Sequence, residues 1–148
     1  MNPKEAFQAF LYNSIPLIKK LGISIETLDK ESVTTRLPAA DFNKNHVNTV
    51  YAGIQFTMME VTGGIIFAST FDINKYFMVI LSMNIEYHKP AKGELICSCS
   101  FSEADRVALM AELDEQGKAR TTLSMELKDK ADITVASAQA TYYISLRK

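Results

Sequence analysis

Residues 45–71 read NHVNTVYAGIQFTMMEVTGGIIFASTF, and Glu60 is the only formally charged side chain among them. Asn48 or Thr49 can cap a helix here, and no proline interrupts the run. A membrane span would need about 20 apolar residues, and this run is long enough. Gln55, Thr57, Glu60, Thr62 and three glycines interrupt it, however, and no basic flanks bound it. The reading is a helix apolar all round inside a soluble domain, and such a helix has to be wrapped by other elements.

Those elements follow in the sequence. Val79, Leu81, Met83, Ile85 and Tyr87 alternate with Ile80, Ser82, Asn84, Glu86 and His88, which predicts a strand with one covered face and one mostly polar face. Lys89-Pro90-Ala91-Lys92-Gly93 turns the chain. Leu95, Cys97, Cys99 and Phe101 form the core face of the next strand. Ser102-Glu103-Ala104-Asp105 opens a short helix carrying Val107, Met110 and Leu113 and stopped by Gly117. Two further alternating runs, Ala119 to Lys128 and Ala136 to Leu146, complete the pattern. The small residues Ala136, Ala138 and Ala140 predict that the long helix lies close against the last strand.

Upstream, Asn2 caps a helix that starts at Pro3 and carries Ala6, Phe7, Phe10 and Leu11 on one face. Pro16 ends that helix or starts a second turn that runs through Ile18 to Leu21 and closes at Gly22. Ile23 to Leu37 has period two, broken by the polar turn Asp29-Lys30-Glu31-Ser32, and reads as a hairpin. The whole chain, residues 1–148, is therefore expected to be one α+β domain with a curved antiparallel sheet of about six strands around one long central helix. The edge strands of such a sheet must be covered or paired, so a homodimer is expected.

Composition narrows the function. With 16 Lys+Arg against 17 Asp+Glu the net charge is -1, without the basic excess that nucleic-acid binding calls for or a polybasic membrane anchor. The amino end lacks a signal-peptide pattern, which predicts a cytoplasmic protein. Cys97 and Cys99 have only His46 and His88 to complete a zinc set; they read as small buried core residues, and no metal site is expected. His88 falls on the polar side of its strand, and His46 reads as a partly exposed loop residue.

Glu60 needs a reason for being where it is, because burying an ionised carboxylate without partners is expensive. Gly53, Thr57, Glu60 and Gly64 lie at i, i+4, i+7 and i+11 and form one stripe of the helix. A groove along that stripe, with a carboxylate midway and a helix amino terminus at one end, could admit an extended ligand and offer amide N–H groups to an electron-rich oxygen. The structural alternative is a helix–helix dimer contact in which Glu60 bonds a partner residue and the glycines allow close approach.

The layout resembles the hotdog fold, and two stretches are similar to the acyl-CoA thioesterases related to the phenylacetate-pathway enzymes. One is Asn45 to Gly53 followed by Glu60, similar to the family's asparagine, helix-start glycine pair and catalytic carboxylate. The other is Leu81 to Gly93, similar to a strand ending in a basic residue, Pro and Gly. The resemblance implies that Glu60 acts as general base or nucleophile on a thioester, that Ala52 and Gly53 amides polarise its carbonyl, and that Asn45 positions water or thioester. It also implies Lys89 on a coenzyme A phosphate, with Tyr51 and Thr57 beside the substrate. Coenzyme A enters as part of the substrate and no separate cofactor is implied; the assembly expected is a homodimer or a homotetramer built as a dimer of dimers. The chain departs from the family at Tyr51-Ala52-Gly53, where His-Gly-Gly is frequent, and at Gly64, where many members have Ser or Thr. Thr57, unlike Thr62, shares the Glu60 stripe and could replace that hydroxyl. Two alternatives accompany this reading: a non-catalytic acyl-CoA or fatty-acyl binding protein, and a hotdog dehydratase using His46 with Glu60.

Overall fold

The first helix, α1 (Pro3–Ser14), begins where Asn2 and Glu5 form a reciprocal capping box. A computed structural model describes residues 1–148. The chain continues through α2 (Pro16–Leu21), β1 (Ser24–Leu28), β2 (Ser32–Leu37), α3 (Ala52–Thr70), β3 (Tyr76–Tyr87), β4 (Leu95–Ser100), α4 (Glu103–Gln116), β5 (Lys118–Lys128) and β6 (Thr134–Leu146). Gly22 and Gly117 end α2 and α4 in the left-handed region, at φ 73° and 72°, where a side chain would be strained. All six strands form one antiparallel sheet in the order β1-β2-β4-β5-β6-β3. No helix is long and apolar enough to cross a membrane.

The period-two expectations hold through most of the sheet. Ile23, Ile25, Val33, Leu37, Leu95, Cys97, Cys99, Leu123, Met125, Leu127 and the alanines of β6 are all buried beneath α3 or its flanks. Thr35 from β2 is buried among them because its hydroxyl meets that of Thr62 on α3 at 2.7 Å. Burial also pushes the Cys97 and Cys99 thiols up to about 12 each. At pH 8 neither thiol should react with a thiol-specific disulfide reagent in the native state, and both should react after unfolding. Rapid labelling of two thiols in the folded protein would contradict this packing.

Three elements differ from the sequence expectation. The long helix starts at Ala52, with Tyr51 as its cap, instead of at Asn48 or Thr49. Residues 45–49 close a tight turn first: the Asn45 carboxamide oxygen accepts from the Val47 and Thr49 amides at 3.0 Å, and Asn48 sits at φ 61°. In β3 the alternation breaks at Leu81, because a bulge lies between Ile80 and Ser82. The extra residue reverses the parity. Met78 and Ile80 before it, and Met83 and Ile85 after it, are the half-buried positions, while Val79 and Leu81 are exposed. In α4 the buried residues are Leu109 and Leu113, one turn apart, and Val107 is 55% exposed.

The long helix, expected to be apolar all round and wrapped by the other elements, is covered on one side only, because the single sheet packs against one face of it. Met58, Met59, Val61, Thr62, Ile65, Ile66 and Phe67 are buried, but Gly53 and Phe56 are exposed and Thr57, Glu60 and Gly64 half-exposed. On the wrapped side Gly63 meets Tyr142 of β6, whose hydroxyl donates to the Glu60 carbonyl at 3.1 Å. A Cβ at residue 63 would collide with that hydroxyl and lie 3.0 Å from Cζ. Ala is the better helix former by about 1 kcal/mol, whereas overpacking costs about 1–3 kcal/mol and the lost hydrogen bond about 1 kcal/mol more. Tyr142 is only 3% exposed and has nowhere to move. The clash wins, and Gly63→Ala should lower stability by about 1–3 kcal/mol in denaturant titration. In a Tyr142→Phe background the same change should be milder, and equal losses in both backgrounds would contradict the contact.

Candidate functional site

The amino terminus of α3 is built by the turn before it. Tyr51 N–H donates to the Asn43 carbonyl at 2.8 Å, and Val50 N–H donates to Ala91 at 2.8 Å, which ties the helix start to the chain after β3. Ile54 and Gln55 amides return to the Tyr51 carbonyl. The Ala52 and Gly53 amides have no acceptor within the chain, as the first amides of a helix do not unless a cap supplies one, and the Tyr51 side chain supplies none. The helix dipole adds partial positive charge at the same place. The Tyr51 ring lies across Gly53, where a Cβ would fall 2.7 Å from Cε1, and Tyr87 donates its hydroxyl to the Ala52 carbonyl at 3.0 Å. A side chain at residue 53 would have to push this exposed ring aside, so glycine lets Tyr51 lie over the helix start.

An open cleft of about 340 Å³ lies beside this terminus, lined among others by Asn45, Ala52, Gln55, Tyr87, His88 and Lys89. Lys89 is exposed at its rim. Asn45 is engaged in its own turn: its oxygen accepts two amides and its Nδ2 donates to Thr49 Oγ1 at 2.8 Å, leaving one N–H free. Thr57 donates to the Gly53 carbonyl at 2.9 Å. Gln55 is buried, with Nε2 on the Val50 carbonyl and Oε1 without a partner.

Glu60 belongs to a second cleft of about 440 Å³, walled by Gly64 and Phe67 of α3, Met78, Val79 and Ile80 of β3, and Tyr142 of β6. Burial raises the pKa of the carboxyl above its usual range. It makes no salt bridge or side-chain hydrogen bond within the chain, so nothing offsets the desolvation. Tyr142 is also pushed upward, chiefly by burial and then by Glu60, so it stays a neutral donor.

The two halves of the expected site are separated within one chain. Seven residues of helix, at a rise of about 1.5 Å each, put Glu60 about 10 Å along the axis from Gly53. Asn45, Ala52 and Lys89 share the first cleft and Glu60 the second. His46 is exposed and lines neither, whereas His88 lines the first cleft and bonds Ser137 at 2.8 Å. Sequence reasoning missed Tyr142, Met78, Ile80, Tyr87 and Gln55 as site residues. The one available signal for Tyr142 was its place at the end of the Ala136-Ala138-Ala140 row, facing a helix that carries two adjacent glycines.

A six-stranded antiparallel sheet around a helix with a free amino terminus and an unpaired carboxylate defines a hotdog-fold, thioesterase-like protein. The chain belongs to the family described as "Domain of unknown function (DUF4442)", which matches residues 3–144. It is similar to a Pseudomonas aeruginosa protein of unknown function described as "Probable Thioesterase", at 29% identity and TM-score 0.91, covering 99% of this chain and 97% of that one. A Haemophilus influenzae thioesterase matches with TM-score 0.78 at 11% identity, over 99% of this chain and 92% of that one. A Staphylococcus aureus thioesterase matches with TM-score 0.74 at 17% identity, over 88% and 99%. It has been solved with one glutamate and with one glutamine replaced by alanine.

Proposed function

We propose that this protein is an acyl-CoA thioesterase in which Glu60 activates water against the thioester carbonyl. The observation that carries the reading is a half-buried carboxylate with no partner and a raised pKa, standing over an apolar cleft on the same helix whose first two amides are free. A base with a raised pKa is better matched to neutral pH than an ordinary carboxylate. Glu60 takes a proton from water as the oxygen attacks the carbonyl carbon. The amides of Ala52 and Gly53 hold the developing oxyanion. The C–S bond then breaks and the thiolate leaves with the proton held on Glu60, giving carboxylic acid and free thiol. The free Asn45 Nδ2 hydrogen would hold water or the thioester, Tyr51 and Thr57 would flank the substrate, and Lys89 would meet a phosphate of coenzyme A. The chemistry needs no metal or separate cofactor.

The separation of about 10 Å means that one chain cannot present its own amides and its own carboxylate to one carbonyl. A two-fold axis passing α3 between Phe56 and Thr57 would set Gly53 of each subunit opposite Glu60 of the other. Phe56, at 41% exposure, lies at the centre of the open stripe. Strand β3, at the edge of the sheet, has one side free for pairing. The proposed unit is therefore a homodimer, alone or as a dimer of dimers, with sites shared across the interface. The glutamate and glutamine replaced in the S. aureus enzyme are fifteen residues apart, the separation of Asn45 and Glu60 here.

The engagement of Asn45 in its own turn favours a second reading, an acyl-CoA binding protein without turnover. Thiol release from short, medium, long and aromatic acyl-CoA esters separates the two. Turnover supports the thioesterase, while binding without thiol release supports the binding protein and overturns the first reading.

A further inference from the structure

We infer that Gly64 sets the acyl specificity of the Glu60 cleft, keeping open a slot for an unbranched, unsubstituted aliphatic acyl group of medium length. The inference rests on the thioesterase reading for the placement of the reacting carbonyl at Glu60. The two adjacent glycines of α3 have opposite surroundings: a Cβ at Gly63 would collide with Tyr142, whereas a Cβ at Gly64 meets nothing within 4 Å. The missing side chain at residue 64 is thus empty space, not a demand of internal packing. Residue 64 lies one turn beyond Glu60 on the same face, so a chain extending from a carbonyl at Glu60 along α3 passes over it. Phe67, fully buried, stands at the far end, and Met78 and Ile80 form the opposite wall.

Two polar side chains reach this cleft. One is the Glu60 carboxylate and the other the Tyr142 hydroxyl, which already donates to the Glu60 carbonyl. A hydroxyl near the far end of the acyl chain, against Phe67 and away from both of these oxygens, would lose its water and gain no partner. The slot from Glu60 to Phe67 runs about 10 Å along the helix axis, which at C–C bonds near 1.5 Å accommodates roughly eight carbons.

The experiment uses the whole chain with acetyl-, butanoyl-, hexanoyl-, octanoyl-, dodecanoyl- and 7-hydroxyoctanoyl-CoA, and the matching S-alkyl-CoA thioethers as non-hydrolysable probes in calorimetry. Affinity and kcat/KM should rise about tenfold for each two carbons up to octanoyl and then level off. The 7-hydroxy compound should fall at least tenfold below octanoyl. Gly64→Val should lower the octanoyl-to-butanoyl ratio at least tenfold, and Ile80→Phe, narrowing the slot from the strand side, should shift it the same way. A chain-length series that is flat, or unchanged in both variants, overturns the inference. So does a Gly64→Val protein that changes mass in sedimentation while its ratio stays constant, since the space would then belong to a contact between subunits. If thioethers show the series but no ester releases thiol, the slot stands and the thioesterase reading fails.

Discussion

Glu60→Gln is expected to reduce thiol release by about 10²- to 10⁴-fold, the range for removing a general base. Gln keeps the size of the side chain and removes only its ability to take a proton, so substrate binding should change little and the loss should fall on kcat. The wild-type rate should fall on acidification through a pKa displaced upward from the ordinary carboxylate value of about 4.3, because Glu60 must be ionised to act. Stability should move in the other direction. A carboxyl whose folded pKa is raised binds its proton more tightly in the folded state, so its contribution is fully present below the unfolded value and is lost as pH rises through the folded one. Above that window the wild type carries a half-buried, unpaired charge that Gln lacks. The Tm advantage of Glu60→Gln should therefore widen between pH 4 and pH 8. Activity that survives the substitution would remove Glu60 from the mechanism, whatever the stability shows.

Ala52→Pro is the second large effect. Residue 52 is the first position of α3, where the fixed φ of proline suits the helix and its missing N–H breaks no bond within the chain. The preceding Tyr51, at φ -57° and ψ 135°, already has the conformation that proline requires of its neighbour. The substitution deletes one oxyanion donor and should cost about 10²- to 10³-fold in kcat with little change in Tm. Its combination with Glu60→Gln tests where the site lies. In a heterodimer of the two inactive chains, a shared site regains one intact pair: Glu60 from the Ala52→Pro chain and both amides from the Glu60→Gln chain. Random mixing should restore about a quarter of wild-type activity, because half the dimers are mixed and each has one working site. No recovery in a confirmed heterodimer would place the carboxylate and the amides in the same subunit.

Much of this molecule is legible along the chain. The capping pair Asn2 and Glu5, the glycine stops at Gly22 and Gly117, and the alternation of β2, β4, β5 and β6 each depend on residues within one or two turns or along one strand. Such local hydrogen-bonding and hydrophobic periods act wherever they occur. Glu60 stood out for the same reason, as one charge in a long apolar run. The start of α3 was misplaced because the Asn45–Thr49 turn competes for the same polar side chains that would otherwise cap the helix. The parity of β3 was misplaced because the bulge at Leu81 depends on how β3 registers against Thr141 and Tyr142 of β6.

By itself, then, the sequence determined the elements, the polar and apolar faces of the strands apart from the first half of β3, and the presence of a carboxylate that needs explaining. The tertiary structure alone decided which side of α3 is covered, why Gly63 has no room while Gly64 opens on empty space, and that Glu60 looks into an apolar cleft against β3. Those features depend on contacts such as Tyr142 with Glu60, which are 82 positions apart. No local pattern encodes a pairing that exists only once the sheet has closed around the helix.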